Sequence, residues 1–219
     1  MLPQYSIINR ILIFFLIVFS SGASSLSVND TALIIFFAVT LVLFLLTAKS
    51  KRDLTGMLYV LFFIAAAACY YRFANGRIDS TTWLGFSIKI LCAYMIVKMN
   101  RDEFTENIVH VIYFIATASL IGFALQSIFP AQVFEYNNFF GMESRNNSNS
   151  LIFDFSYLHA GRNCGCMWEP GAFAVLLVMG LWLALLHEEE LSKKYLVVLA
   201  IALLTTFSTS GYITFGAIL

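Results

Sequence analysis

The chain has 219 residues, of which 60% are hydrophobic and 12% charged, with 22 Phe among them. A soluble domain carries about 25% charged residues, so the composition excludes an ordinary soluble fold and indicates an integral membrane protein. Thirteen Lys and Arg balance thirteen Asp and Glu, which argues against nucleic acid as a partner and leaves the placement of charges as the informative feature.

A membrane-spanning helix needs roughly 20 mostly apolar residues. In chain order such runs fall near 8–27, 31–48, 54–73, 83–99, 108–128, 171–187 and 195–209, and a further one begins at Gly211. The expected fold is therefore all-α: a polytopic helical bundle in the membrane, one domain over 1–219, with seven complete spans and the start of an eighth. The last run, GYITFGAIL, supplies only nine residues, so the chain reads as a truncated product or as part of a longer one. The first run has a rival reading. Arg10, the apolar stretch from Ile11 to Phe19 and Ser21-Gly22-Ala23 resemble a secretory signal peptide with its cleavage site.

Basic residues in short loops orient the spans, because cytoplasmic loops collect Lys and Arg. Arg10, Lys49, Lys51, Arg52, Lys98, Arg101, Lys193 and Lys194 fall on one side, and Arg72, Arg77, Arg145 and Arg162 on the other. The N-terminus is accordingly expected in the cytoplasm, and the alternation of spans places 129–170 outside. That segment is the longest polar stretch, yet it carries Phe134, Tyr136, Phe139, Phe140, Phe153, Phe155, Tyr157 and Trp168. An aromatic loop of this kind is expected to fold onto the membrane surface and cover something, and long ordered loops are usually functional.

The loop ends in RNCGCMWEPG, residues 162–171. Pro170 suits the first position of a helix, with Glu169 at its cap. A helix N-terminus offers free N–H groups and partial positive charge to an anion, the Arg162 guanidinium can hold phosphate oxygens bidentately, and Gly161, Gly165 and Gly171 let backbone approach a ligand. Two readings stay open on these residues alone: a phosphate cradle, or a structural Arg–Glu pair that closes the loop. Cys164 and Cys166 bracket Gly165 too closely for an easy disulfide and read as packing residues. Lys89 falls inside the fourth span, where a charge must pair, snorkel or meet a substrate phosphate. His159 is a lone loop histidine and the remaining candidate base, while His110 and His187 lie at the expected cytoplasmic ends. No H-x-x-x-H, D-x-D or C-x-x-C pattern is present.

RNCGCMWEPGAFA, followed after one apolar span and a short charged loop by LLTTFSTSGY, resembles the core signature of bacterial O-antigen polymerases and O-antigen ligases. The resemblance covers residues 160–215. Arg162, Gly165, Glu169, Pro170 and Gly171 match its first element, and Thr206, Ser208, Thr209, Ser210 and Gly211 its second. The arginine often found in the later turn is missing, with Thr209 or Ser210 in its place.

The resemblance implies a glycosyltransferase of the bacterial inner membrane that acts on undecaprenyl-diphosphate-linked glycans at the periplasmic face, as a polymerase of O-antigen, capsular or exopolysaccharide repeat units or as a ligase to a lipid A core. It implies no metal and no cofactor. Membrane lipid, a chain-length regulator and a flippase would be its partners. The chemistry needs positive charge at the departing pyrophosphate and a base for the acceptor hydroxyl. Arg162 then faces the pyrophosphate, with Arg72, Arg77, Arg145, Lys89, Gly165 and Ser210 as further substrate contacts. Glu169 is either the base or the residue that orients Arg162. A transporter or flippase, and a non-catalytic scaffold, are the readings from other classes; the sequence shows neither the internal repeat nor the broken helices that many transporters have.

Overall fold

Backbone polar groups in lipid must be satisfied within the chain, and a single-chain bundle does this with helices. The structure, a computed structural model, describes residues 3–47, 51–76, 80–142, 146–187 and 193–218. It is all-α apart from one small hairpin among the described residues. The helices are α1 (Pro3–Ser20), α2 (Asp30–Thr47), α3 (Lys51–Asn75), α4 (Ser80–Asn100), α5 (Phe104–Ile128), α6 (Pro130–Tyr136), α7 (Pro170–Leu186), α8 (Lys193–Thr205) and α9 (Thr209–Ile218). Among the described residues, four stretches are long and apolar enough to cross a membrane, Asp30–Thr47, Leu54–Asn75, Thr81–Asn100 and Phe104–Ile128, whereas Ser6–Ser20 and Pro170–Leu186 are shorter apolar helices.

Helix ends depart from the hydropathy runs where side chains take over backbone hydrogen bonds. The first run was expected to reach residue 27, but α1 stops at Ser20. Both the amide and the hydroxyl of Ser21 donate to the Val18 carbonyl, at 3.2 and 2.8 Å, and Gly22 turns with φ of 66°. The run expected to reach 209 ends at Thr205. There the Thr205 and Thr206 hydroxyls donate back to the carbonyls of Ala202 and Leu203, each at 2.7 Å, and Phe207 adopts φ of 48°. Ser208 then caps α9, its hydroxyl accepting from the Gly211 amide at 3.3 Å and its carbonyl from the Tyr212 amide at 3.0 Å.

The chain divides into two compact units, one of Met1–Leu16 with Asn29–Phe104, the other of Ile17–Val28 with Thr105–Leu219. In the first, α4 packs against both α2 and α3. The Phe44 and Tyr94 rings meet edge to face at 6.4 Å, and Gly56 lets Tyr94 approach α3, since a Cβ there would collide with the phenol oxygen. Many apolar side chains of α3, Phe62, Phe63 and Phe73 among them, are left uncovered by the chain, as lipid-facing groups are, because lipid tails are as apolar as they are.

In the second unit α7 packs on α8 and α9. Val109, Ala184 and Tyr195 form a buried cluster with Tyr113, Leu183 and Leu196 around it. Close approach rests on small residues: a Cβ on Gly211 would sit 2.6 Å from Ala174 Cβ, and one on Gly180 would sit 2.9 Å from the Ile112 side chain. The hairpin pairs β1 (Asn147–Asn149) with β2 (Asp154–Ser156), antiparallel, with Asn149 opposite Asp154.

Candidate functional site

The loop between α5 and α7 buries polar side chains, Asn147, Asn149, Asp154 and Asn163 among them, together with Phe153 and Phe155. Asp154 is its hub. One carboxylate oxygen accepts from the side-chain amides of Asn147 and Asn149, at 2.5 and 3.0 Å, and its amide donates to the Gly165 carbonyl at 2.5 Å. Asn147 also donates to the Ala23 carbonyl at 2.8 Å, and the Trp168 amide donates to the Ser21 carbonyl at 3.3 Å. The Ser21-Gly22-Ala23 segment is thereby tied into the loop. An aromatic trio closes the other side of the hairpin, with the Phe134 ring 4.6 Å from Tyr157 and 5.9 Å from Phe155.

The RNCGC segment is fixed to the end of α8. Arg162 donates from Nε to the Thr206 carbonyl at 3.1 Å and from Nη2 to the Phe207 carbonyl at 3.0 Å, so its guanidinium satisfies carbonyls just past a helix C-terminus, where positive charge is favoured. Of the five guanidinium N–H donors, these bonds use two; Nη1 bonds to no described residue. The Arg162 carbonyl accepts from the buried Gln126 side chain on α5 at 3.4 Å.

Asn163, fully buried, completes the junction. Its amide donates to the Thr205 carbonyl at 2.9 Å, and its side-chain nitrogen donates to Ser119 Oγ at 3.1 Å and Thr205 Oγ1 at 2.9 Å. Its side-chain oxygen accepts from the Gly165 amide at 2.9 Å. Three segments, α5, the loop and the end of α8, meet on one side chain. Nothing local marks Asn163, whose partner Ser119 lies 44 residues away, and Asp154 gathers Asn147 and Asn149 across a hairpin that hydropathy does not show.

Gly165 has φ of 55°, and a Cβ would fall onto the buried Phe173 ring of α7. Its requirement is thus conformational and steric together. Cys164 and Cys166 are free and buried. Burial pushes the Cys164 thiol well above its ordinary range; the Asp154 carboxylate adds to this, the Arg162 charge opposes it and Glu169 adds again. Burial also pushes Cys166 up to about 12, against a hydrogen bond from its own backbone and with a further rise from Asp154.

Glu169 stands at the N-cap of α7 with extended backbone, φ of −151° and ψ of 155°, followed by Pro170 at the first helical position. Its carboxylate makes no capping bond and no ion pair with Arg162 among the described residues. Arg162 is therefore oriented by the carbonyls of Thr206 and Phe207 and not by Glu169.

The second unit thus contains Arg162, Gly165, Glu169 and Ser210, the last with its hydroxyl 3.1 Å from that of Ser208. Lys89 and Arg72 belong to the first unit. Lys89 is half-buried on α4, and Asp30, in the first turn of α2, supplies the opposite charge acting on it. Arg72 is exposed in the last turn of α3. Arg77 and Arg145 lie outside the described residues. His159 is in the 3-10 turn 157–159 and contributes a backbone carbonyl, which accepts from the Arg162 amide at 3.0 Å. His110 and His187 lie elsewhere, His110 against the Tyr195 ring at 5.2 Å.

Compared with protein-family models, with curated proteins and with solved structures, the chain matches none.

Proposed function

We propose that this chain is a glycosyltransferase of the O-antigen polymerase and ligase superfamily, acting on an undecaprenyl-diphosphate-linked glycan at the periplasmic face of a bacterial inner membrane. One observation carries the reading. The two sequence elements that resemble that superfamily are hydrogen-bonded to one another through Arg162 and Asn163 on one side and Thr205, Thr206 and Phe207 on the other, Arg162 and Thr206 being 44 residues apart. α7 packs on α8, which brings the start of one beside the end of the other, and the bonds of Arg162 and Asn163 then fix the two elements at one place. In this reading the seven long apolar runs are complete spans and the run from Gly211 begins an eighth, the N-terminus is cytoplasmic, and the Arg162 loop faces the periplasm.

The chemistry divides between two residues. Arg162, pinned through Nε and Nη2, presents Nη1 to the pyrophosphate oxygens of the donor and stabilises the charge that develops as the glycosidic C–O bond to phosphate breaks. A guanidinium already fixed by two carbonyls loses little freedom when an anion arrives, which is the advantage of a preorganised site. The Glu169 carboxylate makes no hydrogen bond among the described residues. Thr206 and Phe207 hold Arg162, and Glu169 is assigned the role of base: its carboxylate takes the proton of the acceptor hydroxyl as that oxygen attacks the donor sugar. Polymerisation of repeat units is the favoured reaction, since Glu before Pro170 leans toward the polymerases, with ligation to a lipid A core as the alternative.

Native mass spectrometry of the purified protein with undecaprenyl diphosphate tests the reading. Wild type retains the lipid and Arg162→Ala loses it. Equal retention by both proteins overturns the assignment of Arg162 to the pyrophosphate.

A further inference from the structure

The segment that follows α5 carries an unexplained surface. α5 has 25 residues, about 37 Å at 1.5 Å per residue, which exceeds the roughly 30 Å of a hydrocarbon core. Its apolar run, 108–128, covers about 31 Å of that length, so the polar first turn and the C-terminal end at Ile128 both come to the level of the head groups. One residue later the chain turns at Phe129 and starts α6 with Pro130 at its first position.

α6 has three distinct sides. Phe134 points inward, onto Phe155 and Tyr157. Gln132 and Glu135 form an exposed polar side. Phe129, Val133 and Tyr136, spaced i, i+4 and i+7, form an apolar side; Phe129 is 51% and Tyr136 72% exposed, and Phe139 just beyond is 76% exposed. On α5 the residues Ile121, Leu125 and Ile128 repeat the same spacing and are likewise uncovered, so an apolar stripe runs along the span up to the turn. Water is a poor neighbour for rings exposed to that degree, and aromatic side chains concentrate where a membrane meets water. The segment 129–139 has no Lys or Arg and one acidic residue, Glu135, so attraction to anionic head groups cannot hold it there.

We propose that α6 and the residues to Phe139 lie in the membrane interface, with Phe129, Tyr136 and Phe139 buried among lipid head groups and upper acyl chains and Glu135 facing water. The occupant of this face is a lipid surface, bound by apolar burial rather than by charge. The proposal does not depend on the enzymatic reading, since it follows from the length of α5 and the sides of α6.

Depth-dependent quenching tests it in the full chain. With Trp83, Trp168 and Trp182 replaced by Phe, a single Trp is introduced as Tyr136→Trp, Phe139→Trp or Glu135→Trp, and the proteins are reconstituted in phosphatidylcholine vesicles with or without bromines near the top of the acyl chains. Trp emission at 136 and 139 should fall roughly twofold on brominated lipid and resist aqueous iodide, whereas position 135 should show the reverse. Raising salt or adding anionic lipid should change none of these values. Iodide quenching at 136 and 139 without bromine quenching overturns the proposal, and so does resistance to both quenchers, which would mean that protein covers the face. Should the Trp-free background fail to fold, a nitroxide attached at Tyr136→Cys in a chain whose exposed Cys69 is replaced by Ala gives the same decision, through its accessibility to oxygen against a water-soluble nickel chelate.

Discussion

Arg162 donates from Nε to the carbonyl of Thr206, 44 residues further along the chain, and that bond places the side chain with most potential for anion chemistry at the end of α8. The contact has two consequences, one for stability and one for function, and the variants below separate them.

Arg162→Lys keeps the charge but not the planar fork. An ammonium is a compact point charge that cannot reproduce two bonds of fixed direction, so at least one of the carbonyls of Thr206 and Phe207 loses its partner. Stability should fall by about 1 kcal/mol, read as a lower SDS mole fraction at the unfolding midpoint in mixed micelles. An unchanged midpoint would show that the two hydrogen bonds contribute nothing to the fold.

Asn163→Leu should be far more damaging. The substitution removes the side-chain acceptor of the buried Gly165 amide and both donor bonds to Ser119 and Thr205. Buried groups left unpaired cost about 1–3 kcal/mol each, so the variant is expected to unfold several kcal/mol earlier than wild type or to accumulate poorly. The same midpoint measurement checks it, with Asn163→Leu expected to lie well below Arg162→Lys.

Gly165→Ala and Gly161→Ala form an informative pair, since both positions have positive φ, 55° and 79°. Around Gly161 no atom lies within 4 Å of an added Cβ, whereas at Gly165 the Phe173 ring occupies the space. The Gly161 variant should lose about 1–2 kcal/mol from backbone strain alone, and the Gly165 variant clearly more. Adding Phe173→Leu should restore part of the loss at 165 and none at 161.

The apolar runs made most of the helices legible: Asp30–Thr47, Ser80–Asn100 and Pro170–Leu186 lie within about three residues of where hydropathy places them. Hydropathy overshot where hydroxyls compete for carbonyls, at Ser21 and at Thr205-Thr206, because it scores Thr, Ser and Gly among apolar neighbours without regard to the bonds they make. The hairpin and α6 were illegible for another reason. They are short segments held by distant partners, as Asn147 is held by Ala23, 124 residues away, and no local pattern encodes such a bond. Of the site, Arg162 and Glu169 could be singled out because charged residues are rare in this chain, whereas Asn163 and Asp154 do their work through partners that only the fold supplies.

A pH dependence follows from the buried thiols. Cys166 is held at about 12 in the fold against an ordinary 9.0, so above pH 9 the unfolded chain releases this proton while the folded chain keeps it. The unfolded state then binds fewer protons, and stability falls as pH rises from about 9 toward 12, by up to roughly 1 kcal/mol per pH unit for each such thiol. Below pH 9 the thiols contribute no slope. Midpoints of wild type and of Cys164→Ala/Cys166→Ala, compared between pH 8 and pH 11, should converge as pH rises, and parallel curves would contradict the assignment.

The central claim is that Arg162 and Glu169, on a loop fastened to the end of α8, act on a lipid-linked glycan. The glycan ladder formed in a strain whose own copy of this gene has been deleted, complemented with wild type, Arg162→Ala or Glu169→Gln at matched amounts of folded membrane protein, tests this most directly. The account predicts that wild type restores a ladder of increasing chain length and that both variants leave single units or none. A full ladder from either variant would contradict it.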